Sequence, residues 1–223
     1  MSIFTSFTDK WWGYSDKQIL SLHVLNQLRL EYILSKTKVK DLKILDYGCG
    51  GGLLCEPLAR LGADVDGFDV NPDCILAARE HSKIQELDIN YFCDAEILQS
   101  AKNASYDISC CFEVLEHVKN PQDIIANLAR LTKPEGFIFV STINKTLFAS
   151  LTVKFAAEYI LNIVPKGLHE VDMFISPKEL NKIALSQGLK NIDTKGISYN
   201  PLTKTAKLTN NSPANYISCF KRL

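Results

Sequence analysis

From Leu42 onward, short apolar runs alternate with segments of helical pattern, and this alternation limits what the chain can fold into. The runs 42–47, 65–70 and 89–94 read as strands, with helices over 53–61 and 72–82 between them. A buried strand is expected at 106–113, and another at 136–142. Between these two, Asn120 as cap and Pro121 at the first position open a helix over 121–132. Such alternation predicts an α/β, Rossmann-like fold, a mainly parallel sheet with helices on both faces. Further on, Ser176-Pro177-Lys178-Glu179 is a capping box that starts a helix running to Gln187, where Gly188 stops it. Strand candidates at 191–199 and 214–221 follow.

A chain of 223 residues fits one domain, since a domain takes about 100–200 residues. We expect a single core over 1–223, with N-terminal helical cover over about 1–40 and an apolar helical insertion over about 144–170. Lys plus Arg equals Asp plus Glu at 25 each, so no positive field argues for nucleic acid as a partner. The seven cysteines are scattered without a C-x-x-C pair and read as buried thiols of a reducing compartment. The first residues, MSIFTSFTDKWWG, do not read as a secretory signal, and the expected location is the cytoplasm.

Within 144–164, Ser150, Lys154, Glu158 and Asn162 form one narrow polar stripe on an otherwise apolar helix. Such a helix packs against the domain or a partner subunit, or it meets lipid or a lipidic substrate; both readings stay open. Its charges make it a poor membrane span.

The first strand runs through Asp46 into Gly48-Cys49-Gly50-Gly51-Gly52, a turn that lets backbone approach a ligand closely. A dinucleotide fingerprint would need glycine where Leu53 stands, and no Gly-Lys-Ser/Thr follows for a phosphate loop. Asp69 ends the second strand, where a carboxylate accepts both ribose hydroxyls of an adenosine. Asp94, after the third strand, would receive an adenine amino group.

The order D-x-G-C-G-x-G, strand-end acid, Asp-Ala resembles class I S-adenosylmethionine-dependent methyltransferases. More specific blocks are Trp11-Trp12, Leu28-Arg29-Leu30, CFEVLEHV, Ser141-Thr142-Ile143-Asn144, Pro165-Lys166-Gly167-Leu168-His169 and Tyr199-Asn200-Pro201. With them the chain resembles the ubiquinone biosynthesis O-methyltransferase family from Trp11 almost to its last residue. That family methylates phenolic hydroxyls of a polyprenyl catechol and of a demethylated quinol. The resemblance implies S-adenosylmethionine as methyl donor, peripheral contact with lipid at the inner face of the membrane, and contact with other ubiquinone-biosynthesis proteins. It also implies cofactor contacts from Arg29, Gly48, Asp69 and Phe112, beside Asp46 and Gly50 of the glycine motif.

A phenol of pKa about 10 is mostly neutral at physiological pH, so its proton must be removed or polarised before methyl transfer. A divalent cation would do this by binding both catechol oxygens; a histidine would do it directly. By resemblance Glu113, Glu116 and His117 match a cluster associated with magnesium. His117 and His169 are the candidate bases without a metal, with Glu116 beside them. Trp11 and Trp12 either roof the aromatic acceptor or anchor the N-terminal segment.

Overall fold

A computed structural model describes residues 11–12, 17–146, 174–212 and 214–223. His169, the Pro165–His169 block and the expected apolar helix from residue 147 on lie outside these residues.

Helix α1 (Lys17–Lys36) is followed by β1 (Lys43–Tyr47), α2 (Cys55–Arg60), β2 (Asp64–Phe68), α3 (Pro72–Ile84) and β3 (Asn90–Phe92). Next come α4 (Ala95–Ser100), β4 (Tyr106–Phe112), a 3₁₀ turn (Leu115–His117), α5 (Pro121–Leu131) and β5 (Thr132–Ile143). The last elements are α6 (Pro177–Ser186), β6 (Leu189–Asn200), β7 (Thr205–Thr209) and β8 (Asn215–Arg222). Among the described residues eight strands form one sheet in the order β3-β2-β1-β4-β5-β8-β6-β7. Strands β1 to β5 pair in parallel, while β8 is antiparallel to both β5 and β6, and β7 to β6.

The expected α/β architecture is present, and its parallel strands are apolar on both faces because helices cover both. Ile44, Leu45, Ile108, Cys110, Ile138, Phe139 and Val140 are all fully buried. Pro57 sits in the first turn of α2, and the Leu53 carbonyl that a Pro57 N–H would have reached accepts from the Asn26 side-chain amide instead. The capping box is present as read: the Ser176 hydroxyl accepts from the Glu179 N–H, and the Glu179 carboxylate accepts from the Ser176 N–H.

Helix α1 determines where one functional side chain goes. Leu28, Arg29, Tyr32 and Ile33 are its buried face, spaced four apart in two rows. Tyr32 donates to the Asp193 carbonyl at 3.2 Å and Lys36 pairs with the Asp193 carboxylate at 2.6 Å, fastening α1 to β6. Arg29, on the same face, is thereby carried inward.

Strand order reverses between β1 and β4, with β2 on one side and β5 on the other. In open α/β sheets the crevice at the carboxyl ends of the strands beside such a switch point is where ligands bind.

Candidate active site

A cavity of about 410 Å³ opens there, within the range of small-molecule sites. Its wall includes Trp11, Asn26, Arg29, Asp46, Gly48, Gly50, Asp69, Phe112, Glu113 and His117. Residues from α1, β1, β2 and β4, distant in sequence, meet in one space.

The glycine loop is its floor. Gly48 (φ +84°) and Gly50 (φ +53°) adopt the left-handed conformation. A Cβ added at Gly48 would lie 2.2 Å from a Val114 methyl, and one at Gly50 2.8 Å from the Trp11 ring. The loop is pinned by Gly48 and Cys49 N–H groups donating to the Phe68 carbonyl at 2.7 and 2.9 Å. At the end of β2, Asp69 accepts from the Gly50 N–H and the Asn71 N–H, both at 2.9 Å. Burial raises its pKa and the two N–H donors oppose that rise.

Asp46 is 3% exposed and accepts from the Cys55 thiol at 3.3 Å. Burial pushes its pKa up to about 7, against the Cys55 hydrogen bond and the Arg29 charge. A cation in the cavity would favour its ionised form.

Arg29 is 7% exposed. Its Nη2 lies 2.9 Å from Glu113 Oε1, its guanidinium carbon lies 5.3 Å from the centre of the Phe112 ring, and its Nε is buried without a hydrogen-bond partner among the described residues. A buried guanidinium with an unused donor suits a carboxylate ligand.

In the stretch Cys111–His117, β4 ends at Phe112 and Glu113 takes a left-handed φ of +55°, turning the chain into the 3₁₀ helix. Glu113 accepts from the Ser141 hydroxyl at 2.7 Å and, weakly, from Asn215 at 3.4 Å. Glu116 is 1% exposed, accepts from the Thr142 hydroxyl at 2.8 Å, hydrogen-bonds Glu113 and stands off the cavity wall. Burial first and then the Glu113 charge hold its carboxyl well above the usual range. His117 is exposed and lies on the wall.

Among the described residues these three side chains are not gathered into one ligand set. Glu113 is committed to Arg29 and Ser141, Glu116 faces the interior in a form that favours its proton, and among the described residues no three His, Cys, Asp or Glu side chains converge on a metal position. Glu116 is also removed from the acceptor by its burial. Asp94 corrects a second expectation: it is exposed, off the cavity wall, and caps α4 by accepting from the Glu96 N–H at 2.8 Å. His169 falls outside the described residues.

Two wall residues were missed by sequence reasoning. Asn26 donates to the Leu53 carbonyl at 2.5 Å, tying α1 to the segment behind the glycine loop. Asn71 caps α3 and has its Nδ2 buried without a partner among the described residues. An Asn before Pro72 is a helix-start signal; nothing in the sequence tells that its amide also lines a cavity.

A methyltransferase domain model matches residues 22–194. A ubiquinone biosynthesis O-methyltransferase of Coxiella burnetii (strain Dugway 5J108-111) is 44% identical over 219 residues, covering 97% of this chain and 92% of that protein. The chain belongs to the ubiquinone biosynthesis O-methyltransferase family. A second member, from Hydrogenovibrio crunogenus, is 40% identical and spans 98% of this chain and 91% of its own. Among solved structures, magnesium protoporphyrin IX methyltransferase from Synechocystis with bound S-adenosylhomocysteine has a TM-score of 0.70 at 19% identity, covering 93% of this chain and 86% of that one. At that identity the likeness concerns the fold. As a member of the family the chain is an enzyme, and its methyl donor is S-adenosylmethionine. The glycine cradle, the orphaned Arg29 Nε and the Asp69 carboxylate fit that donor.

Proposed function

We propose that the enzyme methylates phenolic hydroxyls of a polyprenylated catechol and of a demethylated quinol in ubiquinone biosynthesis, with His117 as the general base. The observation that carries this is the presence of His117 on the wall of the cavity whose floor is the glycine loop. Identities of 44% and 40% over nearly the full length of two family members support the substrate class.

Bound S-adenosylmethionine supplies an electrophilic methyl carbon on a sulfonium, a good leaving group. Arg29 would hold its carboxylate, the backbone of Gly48 and Gly50 its methionine portion, and Asp69 its ribose. Phe112 would pack beside it. The enzyme's remaining work is to align the phenol oxygen, exclude water and remove one proton. Leu22, Val118 and Ile124 give the cavity apolar walls suited to an aromatic acceptor. His117 takes the phenolic proton as the oxygen attacks.

A polyprenyl tail resides in lipid, and among the described residues no helix is long and apolar enough to cross a membrane. We therefore extend the proposal to peripheral contact with the membrane surface at the cytoplasmic face, with the apolar segment 144–164 as the sequence best suited to it, and to contact with other proteins of the pathway. The test is methyl transfer from S-adenosylmethionine to a short-chain polyprenyl catechol and to the matching demethyl quinol. O-methylated products from both are expected. Tight S-adenosylhomocysteine binding without turnover of either phenol would sink the proposal.

Asp46 makes cofactor binding pH-dependent. In the free protein its raised pKa gives a contribution to stability that is present below about pH 4 and lost as the pH rises through about 7. The cofactor's ammonium favours ionised Asp46, so affinity has the opposite sign: it should rise up to tenfold per pH unit toward pH 7 and level off above. Calorimetric titration with S-adenosylhomocysteine from pH 5.5 to 8 measures this. Asp46→Asn should flatten the profile; an unchanged slope in that variant would assign the effect elsewhere.

A further inference from the structure

Trp11 is 8% exposed, lines the cavity, and lies across the glycine loop: a Cβ on Gly50 would meet its six-membered ring at 2.8 Å and one on Gly51 its Cγ at 2.5 Å. Three contacts of its neighbourhood hold it there. The Trp12 ring stacks on His81 with centroids 3.7 Å apart and an interplanar angle of 3°. His81 Nδ1 is 2.5 Å from the buried carboxylate of Glu56. His23 Nε2 donates to the Trp11 carbonyl at 3.1 Å. Trp12 and the two histidines thus anchor the segment, and Trp11 is the part that reaches the cavity.

One atom of Trp11 is unexplained by packing. Its indole Nε1–H is buried with no hydrogen-bond partner among the described residues, and the same holds for Nε of Arg29 on the same cavity wall. A buried donor without an acceptor costs the full desolvation of that group, and native structures retain few of them. With the Asn71 amide, three such donors among the described residues lie on the wall of one cavity, and they point to a ligand that brings acceptor oxygens. The only anionic group of S-adenosylmethionine is its carboxylate, and charge-assisted hydrogen bonds to a carboxylate are the strong ones.

We propose that Trp11 is a cofactor-binding residue, donating its indole N–H to the carboxylate of the methyl donor beside Arg29. This rests on the reading of the cavity as the donor site. The indole would shield that carboxylate from water and add a fixed donor that a flexible cation alone does not supply.

The test compares S-adenosylhomocysteine with 5′-methylthioadenosine, which keeps the nucleoside and lacks the carboxylate. Trp11→Phe keeps an aromatic ring over the glycines and removes the N–H. It should weaken S-adenosylhomocysteine about tenfold and leave 5′-methylthioadenosine within twofold of wild type. Because Trp11 and Trp12 are the only tryptophans, Trp12→Phe leaves Trp11 as the sole indole emitter. Its emission should change on adding S-adenosylhomocysteine and not on adding 5′-methylthioadenosine, a readout that survives even if Trp11→Phe folds poorly. Equal weakening of both ligands, or unchanged S-adenosylhomocysteine affinity in Trp11→Phe, overturns the proposal. Failure of the wild-type protein to bind S-adenosylhomocysteine at all would instead overturn the assignment of the cavity.

Discussion

Replacing His117 with alanine should lower kcat for the phenolic acceptor by about 10² to 10⁴, the usual contribution of a positioned general base. Binding of S-adenosylhomocysteine should stay within about twofold, because the glycine loop, Asp69 and Arg29 are untouched. The residual rate should rise with pH as the phenol ionises by itself, since a substrate of pKa about 10 needs no base once deprotonated. Added imidazole should restore part of the loss. Single-turnover rates from pH 6 to 10 distinguish the alternatives: an unchanged rate would leave the proton to be taken by another group. Glu116→Gln supplies the contrast. Its carboxyl is buried behind the wall and favours its proton, so the amide should preserve turnover within about tenfold, although an acid at that position was a catalytic candidate by sequence.

The largest effect on stability is expected from Arg29→Ala. Arg29 is the buried partner of Glu113, which in turn is hydrogen-bonded to Glu116. Removing the guanidinium leaves Glu113 facing a second carboxyl with only Ser141 and Asn215 as donors. Glu113 keeps 27% of its side chain exposed, so breaking the pair from one side costs about 2–3 kcal/mol, below the range of a fully buried pair. For a chain of this size, about 2–4 °C per kcal/mol makes a loss of roughly 5–10 °C in Tm. Cofactor affinity should fall as well. In the double variant Arg29→Met with Glu113→Gln, the unpaired charge is gone and much of the lost Tm should return, a coupling that a double-mutant cycle reads directly. A single variant within about 2 °C of wild type would show that the pair contributes little.

What could be read in advance follows from how local each signal is. The glycine loop, Asp69 at a strand end and the Ser176 capping box are defined by neighbours in sequence, and each is found as expected. Strand β7 was missed because five residues rich in Thr and Lys at the sheet edge carry little apolar pattern. Asp94 looked like an adenine ligand because an acid after a strand serves equally well as a helix cap, and α4 is too short to show a period. The metal cluster looked plausible because Glu113, Glu116 and His117 are close in sequence. The left-handed turn at Glu113 sends them to different surroundings, one to Arg29, one to the interior and one to the cavity wall. That Arg29 would pair with Glu113, 84 positions away, depends on where α1 docks, which no local pattern encodes.

The place of β8 in the sheet has a consequence for biosynthesis. Among the described residues this strand follows the seven others in sequence, yet it lies between β5 and β6 and is the one bridge from the parallel strands to the β6–β7 ribbon. Until residues 215–222 take their place, β1 to β5 can pair among themselves, and β6 and β7 only with each other. An edge of β5 and an edge of β6 therefore wait unpaired until the final strand arrives, the interval in which such edges are most open to the wrong partner.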